Sequence, residues 1–234
     1  MQPTYLPWCG YISMLDRADI FVLLDTVSFS RQSWQQRNRV RLVDSREVWL
    51  TVPAHAHLTT RLVDVEIAGT GWRRKHLATI EAAYKSAPHW PDLRDTLAPI
   101  YAQNWLRLAS FNEALIRALA DHLGIRTPIT RASELGSTRA GRIERLQDLL
   151  VLAEADTLLE PRSGDYLADG APFHVEWSDY EHPVYSQGNQ KFASHLSVID
   201  LIAWHGPEAL DILRRGYSRS DAEALQQVRI SPGA

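Results

Sequence analysis

Three groups of residues have types and spacing suited to chemistry. The first is Gln2-Pro3-Thr4-Tyr5-Leu6-Pro7-Trp8-Cys9-Gly10-Tyr11. Pro3 and Pro7 fix the backbone, and Gly10 admits close approach of the chain to a ligand where a helix begins. A helix start after a glycine turn favours anions. Gln2, Tyr5 and Tyr11 carry polar tips that a pure packing turn would not need. The competing reading is a tight aromatic turn that anchors this end. The second group runs from Arg31 through Trp34, Arg37, Asn38 and Arg39 to Arg41. From 31 to 46 there are five arginines against Asp44 alone, a net +4 in an acidic chain. Arginines with Trp34 and Asn38 between them suit a planar or phosphate-bearing ligand. A solvated basic face is the alternative. The third group is late: Ser163-Gly164-Asp165-Tyr166, then Tyr185, Gln187 and Lys191, then Asp200. Its polar and aromatic residues lie between expected strands, as a recognition loop requires. Asp200 stands in an apolar helix and needs a partner, structural or catalytic.

Other candidates carry less. Trp72-Arg73-Arg74-Lys75-His76 opens a helix with its cations at the positive dipole end, a conflict that a bound anion would relieve and solvent would tolerate. His55 and His57 lack a third ligand at a useful spacing, so no metal is expected. Cys9 at a helix start is either a nucleophile or a small packed side chain. The nucleophile elbow, the P-loop, the dinucleotide glycine motif and Cys-x-x-Cys are absent from the sequence.

The frame around these residues is that of an ordinary globular protein. The 234 residues, 45% hydrophobic and 23% charged, suit one large domain that buries a core without staples. A net charge of −3 argues against a DNA-coating or polybasic membrane protein. Cys9 is the one cysteine, the first residues lack a basic segment, and no apolar run is long enough for a span. Together these suggest a cytoplasmic setting. The basic side chains are arginine except at Lys75, Lys85 and Lys191, through anion recognition or through codon preference.

Helical spacing covers 11–17, and Ile20 to Leu24 reads as a doubly buried strand ending in Asp25. Val48 to Val52 is a strand, and Leu62 to Ile67 alternates like a half-wet edge strand. A helical middle follows. Residues 72–84 are amphipathic, and Ser110 with Glu113 forms a capping box for a helix that stops at Gly124. Strands are expected at 128–131, 157–160 and 173–177, and helices at 142–154, 198–204 and 208–214. The pattern predicts an α/β class with a mostly parallel, Rossmann-like sheet. Ligands in such sheets bind beyond the strand ends, which points to Asp25, to the Pro53–His57 turn and to the Ser163–Tyr166 turn. One domain is expected over 1–216, with a helical insertion at about 72–124 and a tail over 217–234.

These residues together resemble the WbqC-like family. The matching stretches are Gln2 to Tyr11, Ala18 to Val22 with Asp25, Trp34 to Arg39, Trp49 to Pro53, Ser163 to Leu167, and His182-Pro183 with Tyr185 and Gln187. The family pattern usually carries a short strand before Gln-Pro, and here the sequence begins at that motif. The resemblance implies bacterial surface-polysaccharide or natural-product biosynthesis, and a transferase or ligase that forms an amide with a glycine-type acyl group. A second resemblance is to adenylyl-transferring α/β proteins with a Gln-Pro-x-His-x-Gly-His opening, of the nucleotidyltransferase-like fold. It raises ATP as a cofactor, although tyrosines and proline replace those histidines.

The combined expectation is acyl or aminoacyl transfer to an amine, on a small or nucleotide-linked substrate. Arg31, Arg37 and Arg39 hold phosphate in this reading, with Trp8, Trp34 and Asn38 beside them. Gln2, Tyr5 and Tyr11 orient the reacting group, and Asp25 is the general base. Tyr166, Tyr185 and Gln187 form the opposite wall. The alternatives are a tRNA- or RNA-binding module and a non-catalytic partner of a glycosyltransferase.

Overall fold

The computed structural model describes residues 1–57, 59–137, 139, 141–162, 167 and 170–217. The expected Ser163–Tyr166 turn, including Tyr166, lies outside the described residues, as does the tail from 218. The first helix, α1 (Cys9–Arg17), starts after the extended Trp8 and stops at the extended Ala18. Every residue from Cys9 to Leu15 is buried, so the helix threads the interior. The apolar run that follows gives β1 (Phe21–Leu23). Next come the hairpin strands β2 (Arg37–Arg41) and β3 (Glu47–Thr51), then β4 (Ala54–His55).

Leu62 to Ile67 departs from the expected edge strand. Leu62 and Val65 are the fully buried pair. A three-residue spacing belongs to a 3-10 turn and not to a strand. The segment is a 3-10 turn (Leu62–Asp64) followed by the short β5 (Glu66–Ile67). The helical middle holds α2 (Gly71–Tyr84), α3 (Trp90–Ala102) and α4 (Leu108–His122). The helix α4 begins earlier than the capping box implied, with no side-chain cap. Glu113 is instead held by Arg117 and Arg131. After α4 come β6 (Ile129–Arg131), α5 (Ala132–Leu135), α6 (Arg142–Leu152), β7 (Thr157–Pro161), β8 (His174–Ser178), α7 (Val198–His205) and α8 (Ala209–Arg214).

The class is α/β, with small sheets in place of the one mostly parallel sheet expected. Among the described residues the strands form four pairs. β1–β6 and β7–β8 are parallel, while β2–β3 and β4–β5 are antiparallel. A hydrophobic core joins α1, β1, the three middle helices and α7. No helix among the described residues is long and apolar enough to cross a membrane.

Candidate functional site

The segment from Gln2 to Trp8 has almost no regular structure, so its shape must be imposed from outside. Five groups distant in sequence impose it. Asn112 Nδ2 donates to Pro3 O at 3.2 Å and to Gln35 O at 2.7 Å. Tyr5 N donates to Trp34 O, and Gln35 Nε2 donates to Gln2 Oε1. Asn38 Nδ2 donates to Leu6 O, and Val198 N donates to Pro7 O at 2.7 Å. Leu6 has φ +46°, a left-handed conformation that costs a non-glycine residue roughly 1–2 kcal/mol. The Asn38 amide holds it there. Asn38 therefore shapes the loop, and Asn112 does so without having been singled out by the sequence.

Tyr5 points under the loop. It is fully buried, and its hydroxyl meets Tyr101 Oη at 2.6 Å and His76 Nδ1 at 2.9 Å. Phe111 stacks on its ring, and Trp72 packs edge-on to Phe111 and His76. Burial pushes the Tyr5 phenol well above its ordinary pKa and lowers that of His76 to about 4. The Trp72–His76 motif thus contributes to this core.

Tyr11 faces differently. It is 1% exposed, and its ring packs edge-on against Phe21. Among the described residues its hydroxyl has no hydrogen-bond partner, and neither does the buried hydroxyl of Thr4. Both residues line a cleft of about 910 Å³. Burial raises the Tyr11 pKa, so the phenol stays protonated and able to donate. Gln2, Trp8, Trp34, Gln35 and Asn38 line the same cleft. Trp8 is layered against His195, with centroids 5.2 Å apart, and against His182 at 6.2 Å. A Cβ on Gly10 would lie 2.2 Å from the Trp8 ring. The close approach that Gly10 permits is therefore to Trp8 itself.

The cleft also takes cations to which the sequence reading gave no role. Arg17 lines it in an ion pair with Glu176 at 2.5 Å. Arg142 and Arg145 line it one helical turn apart on α6, a spacing that puts both on one face. That spacing was the available signal.

The remaining expected site residues lie elsewhere. Asp25 is 1% exposed and does not line this cleft. Its two carboxylate oxygens accept from Ser133 N at 3.0 Å and Ser133 Oγ at 2.5 Å, which ties β1 to the start of α5. Arg31 donates to Ala56 O. Arg37 lies over the Trp49 ring at 4.5 Å, and Arg39 pairs with Glu47 at 2.7 Å. Trp34 and Trp49 are 47% and 45% exposed, with centroids 5.7 Å apart. Tyr185 and Gln187 both grip Asp200, at 3.0 and 2.9 Å. Burial raises the Asp200 pKa to about 6 against the pull of those hydrogen bonds. Gln187 also borders a second cleft with Arg41 and Lys191. Cys9 is buried, and burial beside Asp200 raises its pKa, so the thiol is a packed side chain. Among the described residues no group of three or more His, Cys, Asp and Glu is placed to hold a metal.

The model of the WbqC-like protein family matches residues 2–212, and the chain belongs to that family. It is 30% identical over 227 residues to the uncharacterized protein Rv1507c of Mycobacterium tuberculosis, an alignment covering 92% of this chain and 96% of that one. No solved structure matches the chain.

Proposed function

We propose that the protein is an acyl or aminoacyl transferase that forms an amide on a small amine, such as an amino sugar linked to a nucleotide. One observation carries the reading. Tyr11 and Thr4 carry buried hydroxyls that have no partner among the described residues, and both residues line the cleft beside α1. A buried polar group without a partner costs about 1–3 kcal/mol, which a ligand atom would recover. In the reaction the amine nitrogen forms a bond to the acyl carbon, the bond to the leaving group breaks, and the departing group takes the proton that the amine gives up. Tyr11 donates to the acyl oxygen as charge builds there. Gln2 keeps its amide N–H groups for substrate, because its oxygen is taken by Gln35. Trp8 and Trp34 offer flat faces, and Arg17, Arg142 and Arg145 supply positive charge for a phosphate or carboxylate. Tyr5, Asn38 and Asp25 act as positioning residues in this reading, and Tyr185 with Gln187 holds the segment that carries His182 beside Trp8.

The test is a thermal-shift screen with nucleotide-linked amino sugars, glycine, charged tRNA and ATP, with and without magnesium. A ligand at 100 times its Kd adds about 2.7 kcal/mol of stability. Stabilisation by an amino sugar that is lost in Tyr11→Phe supports the reading. Stabilisation by ATP as well would add an activated acyl intermediate to it. No shift with any of them would favour a glycosyltransferase partner. The exposed Trp34–Trp49 pair with Arg37 motivates a second reading, a platform for single-stranded RNA. RNA retention that ignores added salt would sink that one.

A further inference from the structure

The second cleft, of about 700 Å³, shares no lining residue with the first. Its size is that of a small-molecule site. Four segments meet around it: the end of β2 with the hairpin turn, the stretch after α2, the loop from Gln187 to Lys191, and α7. The loop is fastened at several points. Gln187 closes it, with Oε1 accepting from Ala193 N at 2.8 Å and Nε2 donating to Ala193 O at 2.9 Å. Ser45 Oγ donates to Gln190 Oε1 at 3.2 Å. Gly188 has φ +69°, and a Cβ on it would lie 2.5 Å from the Trp204 ring. The loop backbone therefore rests on the indole and leaves no room for a side chain there.

The charges in this cleft have one sign. Arg41 and Lys191 line it, and among the described residues no carboxylate does. Glu47 stands opposite Arg41 in the hairpin register, yet it pairs with Arg39. Arg41 Nη1 instead donates to Lys191 O and approaches Gln187 Oε1 at 3.4 Å. Both acceptors are neutral, so they orient the guanidinium without cancelling its charge. The buried Asp200 carboxylate does not line the cleft and is held by Tyr185 and Gln187. Arg214 shows what the other edge of a guanidinium does: its Nε and Nη2 take both oxygens of Asp16, each at 2.7 Å. Arg41 has no carboxylate of that kind among the described residues, so the corresponding edge is left for an anion from outside. Lys191 is exposed and adds a second positive charge.

We propose that this second cleft binds a small hydroxylated molecule of the sugar type that carries a phosphate monoester. Such a monoester holds about −1.5 to −2 charges near neutral pH, which two cations without a carboxylate match better than they match a single negative charge. Its oxygens suit the free edge of Arg41, with Lys191 as a point charge beside it. Ser86 and Asn189 also line the cleft, and their side chains can donate to and accept from ligand hydroxyls. Trp204 supplies an apolar ring surface for the carbon face of the ligand. The clasped loop sets these groups in place before the ligand arrives, which lowers the cost of binding. The site is separate from the cleft of Tyr11, and the inference holds whatever reaction that cleft carries.

The experiment is calorimetric titration of the full chain with glucose 1-phosphate, glucose 6-phosphate and N-acetylglucosamine 1-phosphate, beside glucose and inorganic phosphate. At least one sugar phosphate is expected to bind with a Kd of about 1 mM or tighter, and roughly tenfold or more tighter than inorganic phosphate or glucose. Arg41→Gln and Lys191→Gln should each weaken that binding by roughly tenfold or more, and Tyr11→Phe should leave it unchanged. Arg41 also braces the loop, so its variant is read only if it melts like the wild type. Lys191→Gln alters an exposed side chain and keeps the test decisive in either case. No saturable binding by any of the sugar phosphates would overturn the inference. So would inorganic phosphate that binds as tightly as they do, or binding that Lys191→Gln leaves unmoved. Loss of binding in Tyr11→Phe would move the ligand to the first cleft and overturn it as well.

Discussion

Tyr5 and Tyr11 stand on the two sides of one clamped loop, and both are buried. Tyr5 has two hydroxyl partners, an aromatic floor and no access to the cleft. Tyr11 has an aromatic neighbour, no hydroxyl partner among the described residues and a place in the cleft wall. Under the loop the Tyr5 hydroxyl is saturated and holds shape, although Trp72 Nε1 and Asn112 Oδ1 nearby have no partner among the described residues. Above the loop the Tyr11 hydroxyl is unpartnered among the described residues, in a residue that lines a mostly apolar cleft. Residue type does not separate the two, since both are tyrosines in one motif. Hydrogen-bond saturation does.

The sharpest way to break this contrast is Tyr11→Phe. Ligand affinity or turnover should fall by about 10²-fold or more, the scale of losing one donor to developing charge. Stability should not fall and should rise by up to about 1–3 kcal/mol, because an unpartnered buried hydroxyl is removed and no partner is orphaned. A large loss in urea stability with unchanged binding would make Tyr11 another structural residue. The next effect is set by pH. Asp200 has a folded pKa raised above its unfolded value, so the stability it contributes is present below about pH 4 and is lost as pH rises through about 6. His76 has the opposite sign: its contribution is present above about pH 6.5 and is lost as pH falls toward 4. The unfolding free energy of the wild type minus that of Asp200→Asn should therefore drop by on the order of 3 kcal/mol between pH 4 and pH 7. A flat difference across that range would mean that Asp200 is not desolvated as described.

Tyr5→Phe comes third. It leaves Tyr101 and His76 short of a partner and should cost about 1–3 kcal/mol by urea denaturation. Any fall in substrate affinity should be recovered at lower temperature, where the loop is folded. The smallest effect is expected from Trp49→Ala. An exposed side chain on β3 should change stability by less than about 1 kcal/mol and leave small-ligand binding intact. A specific loss of RNA binding in that variant would turn attention to the outer platform.

The sequence made the long elements legible because burial and period agree in them. The segment at 142–154 and the run after Ala18 fall where a 3.6-residue stripe and a continuous apolar stretch put them. β2 was not legible as a strand. Its inward positions are Asn38 and Val40, and an asparagine in place of an apolar residue hides the two-residue period. α3 was obscured by Pro91 and Pro99, one at the helix start and one tolerated inside it. At the site, Gln2, Trp8 and Tyr11 were legible because polar tips on a proline-fixed loop have little else to do. Asp25 was read as a base from its place after a strand, yet that place also suits a tie to the next helix, and Ser133 makes the tie. No local pattern foretells that Asn112 or Val198 would reach back to Pro3 and Pro7.

That last feature has a consequence for how the protein is made. The loop that shapes the cleft is fastened by residues far along the chain, Ser197 reaching Pro7 across 190 positions and Val198 beside it doing the same. Contacts of that separation form late, after the intervening loops have closed, and they slow folding. A ribosome-bound chain that ends before Val198 would carry the whole Gln-Pro motif without its final clamp. Ligand competence should then emerge abruptly at the end of synthesis, well after most of the secondary structure has formed.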